Sequence, residues 1–77
     1  TEFLASYFDI IFALNEMTHP GEKRMQSICS KECRILPEKF DENLNRLFEG
    51  MFREDISPVI CEMVEEMKKI VVYSLYK

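Results

Sequence analysis

The sequence predicts an all-α fold, a compact bundle of about four helices in one domain of 77 residues. Three observations carry that expectation. Apolar residues recur at spacings of three and four along four separate stretches. Pro, Gly or a Ser-Pro pair stands between those stretches. Only the tail IVVYSLY (70–76) has the β-branched composition of a strand, and no second run exists to pair with it, so it too is read as helix.

The first helix is expected over 1–17, TEFLASYFDIIFALNEM, with Thr1 as its cap. Glu2, Ser6, Asp9, Ala13 and Glu16 follow one narrow face, and Phe3, Leu4, Tyr7, Phe8, Ile10, Ile11, Phe12, Leu14 and Met17 fill the rest. A helix with so thin a polar stripe is expected to be buried on most sides, as the central helix of the bundle or against a neighbouring domain. Asn15 departs from the pattern. At 100° per residue it lies about 140° from the middle of the polar stripe, which puts an amide on the apolar side. Such a buried amide is hydrogen-bonded or costs roughly 1–3 kcal/mol. It either ties down the following loop or faces a ligand or a partner domain.

THPG (18–21) stops this helix, because Pro20 disfavours helical geometry at His19 and Gly21 lets the chain turn. A second helix is expected over 21–33, with Glu22 in its first turn and Met25, Ile28, Cys29 and Cys33 on one face. The third is expected over 37–52. Pro37 suits a first helical position, Phe40, Leu44, Leu47, Phe48 and Met51 form the apolar face, and Gly50 ends or weakens the helix. Glu38, Asp41, Glu42, Asn45, Arg46 and Glu49 cover the opposite side. The fourth opens on Ser57 as cap and Pro58 in the first turn, with Ile60, Met63, Val64, Met67, Val71 and Leu75 facing inward. Glu65 and Lys69 stand four apart in the favourable order.

Composition narrows the function classes. The net charge is −4, so the surplus of Lys and Arg that a duplex-DNA groove needs is missing. Glu62, Glu65 and Glu66 against Lys68 and Lys69 also make the last helix a poor recognition helix. No run of 18 apolar residues predicts a membrane span, and no secretory signal is legible at the start. Three cysteines, an odd number, read as reduced thiols in a cytoplasmic protein.

Catalytic constellations are weak. Cys29, Cys33, Cys61 and His19 would make a soft zinc set, but the two close cysteines lie on the apolar stripe, where buried free Cys is common. A Cys–His nucleophile lacks any local motif. Glu62 and Glu66 share a face expected to be solvated, and no D-x-D pair or Gly-rich phosphate loop occurs. What is left is HPGEKR (19–24). It is either a well-made corner with solvated bases, or a helix start whose backbone N–H groups, with Lys23 and Arg24 beside them, hold a phosphate.

The string FALNEMTHPGEKRM (12–25) resembles the C-terminal helical region of a family of uncharacterised bacterial nucleotidyltransferase-like proteins. The matching positions are Ala13, Leu14, Asn15, His19, Pro20, Gly21, Glu22, Lys23 and Arg24, followed by Leu36, Pro37 and Phe40. The resemblance spans roughly residues 7–48, and Met25 and the cysteine-bearing stretch after it fall outside its pattern. It implies a parent protein with an N-terminal α/β nucleotidyltransferase domain, which would use Mg and a nucleoside triphosphate. The start at Thr1 rather than Met fits a C-terminal piece of such a chain. The piece itself is then expected to hold no catalytic residue, metal or cofactor. It would close one side of the substrate cleft, with Asn15, His19, Lys23 and Arg24 as its substrate-facing residues. The competing expectation is a structural or protein-interaction module that forms a homodimer through its first helix.

Overall fold

A computed structural model describes residues 2–18, 24–51 and 55–76. These residues hold four helices and no strand: α1 Glu2–Leu14, α2 Met25–Glu32, α3 Phe40–Gly50 and α4 Ser57–Leu75. The fold is all-α, and the tail with strand-like composition is helical through Leu75. The chain divides into two units, Thr1–Leu36 and Pro37–Lys77. α1 packs with α2 in the first and α3 with α4 in the second.

In the first unit, α1 ends at Leu14, short of the expected Met17. The stop is made by the backbone, ahead of Pro20. Glu16 adopts φ 55°, its N–H donates to the Ala13 carbonyl at 3.1 Å, and the Met17 N–H donates to Phe12 at 2.9 Å. That pair of bonds is a Schellman closure, which normally places glycine at the left-handed position. A glutamate there carries the steric cost of a Cβ in left-handed geometry. Glu16→Gly is expected to raise the unfolding free energy by about 0.5 to 1 kcal/mol, read from denaturant melts.

The predicted polar stripe of α1 is exposed at Glu2, Ser6, Asp9 and Ala13. Its buried face is Tyr7, Phe8, Ile11 and Phe12. Ile10 is exposed, and Phe3, Leu4 and Leu14 are half-buried, so α1 is not covered on most sides. Its helical neighbour within the unit is only eight residues long. At 1.5 Å per residue such a helix spans about 12 Å and covers a single face. Tyr7 stacks on Phe3 at 5.8 Å and meets Phe8 edge-on. Burial pushes the Tyr7 phenol well above its ordinary pKa, and the neighbouring Cys29 thiol acts in the same direction.

Cys33, expected inside the second helix, caps it in extended geometry, its N–H held by the Cys29 carbonyl at 3.0 Å. Cys29 and Cys33 are buried and form no disulfide, as their apolar positions predict, and Cys61 is exposed. The Cys33 thiol donates to the Met17 sulfur at 3.7 Å.

In the second unit, α3 begins at Phe40 and not at Pro37. Lys39, at φ 61°, interrupts the helical path between them. Its carbonyl then accepts the Asn43 N–H at 2.8 Å, opening the ladder. Phe40, Leu44 and Leu47 are buried as expected. Phe48 and Met51 are exposed instead, and Asn43 and Gly50 take their place. The buried stripe therefore runs 40, 43, 44, 47, 50. It tolerates an amide because Asn43 Oδ1 accepts from Arg46 Nη1 at 3.0 Å.

Ser57 is the first helical residue of α4 and not its cap. Asp55 does the capping work, its Oδ1 accepting the Ser57 N–H at 3.0 Å. Val59, Met63 and Met67 form the buried row, with Ile60, Val64 and Val71 half-buried. Leu75, expected inside, is 76% exposed, and Val72, Tyr73 and Tyr76 are exposed beside it. The reason is length: α4 has 19 residues and α3 has 11, so α4 outruns its partner by about 12 Å. The Ser74 hydroxyl is buried without a hydrogen-bond partner. Within α4, Lys68 pairs with Glu65 at 3.4 Å and Lys69 with Glu66 at 3.0 Å, one residue closer in sequence than the expected Glu65–Lys69 pair.

Glu62 and Glu66 do not lie on an open face: their side chains are 34% and 16% exposed. Asn43 hydrogen-bonds Glu62 and Arg46 reaches it at 3.4 Å, which together hold its carboxyl below the usual range. The Ser57 backbone N–H and hydroxyl do the same for Asp55. A lowered folded-state pKa contributes stability above the ordinary carboxylate value and loses it as pH falls through the lowered one. Melting temperature is therefore expected to drop as pH falls below about 4.3. Glu62→Gln is expected to flatten that drop in a pH series of thermal melts.

Candidate functional site at the corner after α1

Of the four residues expected to face a substrate, Asn15 and Arg24 are described, while His19 and Lys23 lie outside the described residues, together with Pro20, Gly21 and Glu22. Asn15 follows the last residue of α1 and is half-buried. Its Oδ1 accepts the backbone N–H groups of Arg34 and Ile35, each at 2.8 Å. Its Nδ2 donates to the carbonyls of Ile11 and Ile35, again at 2.8 Å each. An amide has two donor hydrogens and two acceptor lone pairs, and all four are used here.

The Asn15 side chain thus has its four hydrogen-bonding positions occupied by main-chain groups of Ile11, Arg34 and Ile35. It clasps the segment after α2, and so joins the two ends of residues 16–33. The Cys33–Met17 sulfur contact sits at the same neck. The clasp explains why an amide interrupts an apolar pattern: part-buried backbone groups of Ile35 need partners, and asparagine supplies both a donor and an acceptor.

Arg24 stands at the start of α2, exposed, at φ −102° and ψ 37°. Its carbonyl accepts the Ile28 N–H at 3.0 Å, which is the first bond of that helix. Arg24, Ser27, Ile28, Lys31 and Glu32 line a shallow hollow of about 260 Å³. Among the described residues, two cations, Arg24 and Lys31, and one acid, Glu32, border it. Ser27 and Lys31 were not among the expected site residues. The signal for them was present: positions 24, 27, 28 and 31 recur at three and four, which places them on one side of a helix.

The second unit has a comparable hollow of about 250 Å³ between the end of α3 and the start of α4, lined by Arg46, Gly50, Asp55, Ile56, Pro58 and Val59. Arg46 there is already engaged by Asn43 and Glu62. Among the described residues, no three His, Cys, Asp or Glu side chains come together as metal ligands, and no helix is long and apolar enough to cross a membrane. No protein-family model, curated protein or solved structure matches the chain.

Proposed function

We propose that the chain is a helical accessory module of a nucleotidyltransferase-like protein, positioning substrate for a separate catalytic domain and performing no chemistry of its own. The observation that carries this is the saturated Asn15 clasp, which fixes both ends of the segment bearing HPGEKR. In the family it resembles, the same A-L-N and H-P-G-E-K-R elements form a helix-to-helix corner. A fixed corner can present cations at a repeatable position, and Arg24 is exposed beside Lys31 on the hollow of α2. Asn15 is thus a positioning residue, and Lys23 and Arg24 are the contacts to a phosphate or an acidic substrate group. Mg would be held by the catalytic domain, and the nucleoside triphosphate would bind in the cleft between that domain and this module.

The test is Lys23→Ala with Arg24→Ala in the full-length protein, with nucleoside triphosphate binding read by calorimetry. Losing charged hydrogen bonds to phosphate costs about 1.5–3 kcal/mol, so affinity is expected to fall at least roughly tenfold while the melting temperature holds. Unchanged affinity overturns the proposal, as does collapse of the fold. A tight symmetric dimer in sedimentation, with no nucleotide effect on stability, favours the interaction module instead.

A further inference from the structure

We draw no further inference here: the strongest candidate, the exposed apolar patch that Val72, Tyr73, Leu75 and Tyr76 form at the C-terminal end of α4, carries nothing because nothing in the structure shows what covers it.

Discussion

Asn15→Leu is expected to lower the unfolding free energy by about 3 kcal/mol. Leucine has as many side-chain heavy atoms as asparagine but removes four hydrogen bonds at once. The Ile11 carbonyl keeps its helical bond from the Asn15 N–H, and the Arg34 N–H lies where water reaches it, so neither contributes its full cost. The Ile35 N–H and carbonyl are less accessible and are both orphaned, at roughly 1–3 kcal/mol each. Asn15→Asp separates geometry from chemistry. It keeps the two acceptor bonds but turns an anionic oxygen toward the Ile11 and Ile35 carbonyls, so it is expected to destabilise as well. Denaturant melts measure both variants, and amide exchange at Arg34 and Ile35 localises the loss. A change below about 0.5 kcal/mol, the size of an ordinary surface substitution, would remove the clasp as the organising contact of the corner.

Leu44→Ala is expected to cost about 3 kcal/mol by a different route. Leu44 is fully buried in the stripe of α3, with Leu47 and Phe40 on either side along the helix. Truncation loses the transfer free energy of the removed carbons and leaves a cavity that its neighbours only partly fill. Phe48→Ala, four residues on and 45% exposed, is the matched control and should cost far less. Equal effects for the two would mean that the buried face of α3 is not the one running through Asn43 and Leu44. A chain of this length holds only about 4–12 kcal/mol in total, so either Asn15→Leu or Leu44→Ala removes a large part of it.

The four helices were legible because periodicity needs only a repeating face. Gly50 ends α3 and Pro58 stands in the first turn of α4 as their types suggest, but other ends were not legible, and each miss has a local cause. Glu16 and Lys39 take left-handed geometry without being glycine, so nothing in their identity announces a stop or a start. At α4 an Asp two residues ahead of Ser57 does the work assigned to the serine. Asn43 could have been found, since 40, 43, 44 and 47 follow helical spacing as well as the stripe chosen for α3. At the corner, the departure of Asn15 from the apolar pattern signalled a demand for hydrogen bonds. Its partners were invisible because they are main-chain groups of Arg34 and Ile35, and the main chain leaves no mark in a sequence.

The clasp has an evolutionary consequence. A ring of chain whose two ends are cross-pinned pays for its circumference only logarithmically, and doubling the length of a flexible loop adds about 0.6 kcal/mol. A change of length between Glu16 and Cys33 therefore costs little in chain closure, but it has to leave α2 intact, because that helix carries the fully buried Cys29, and it has to keep the asparagine at the neck.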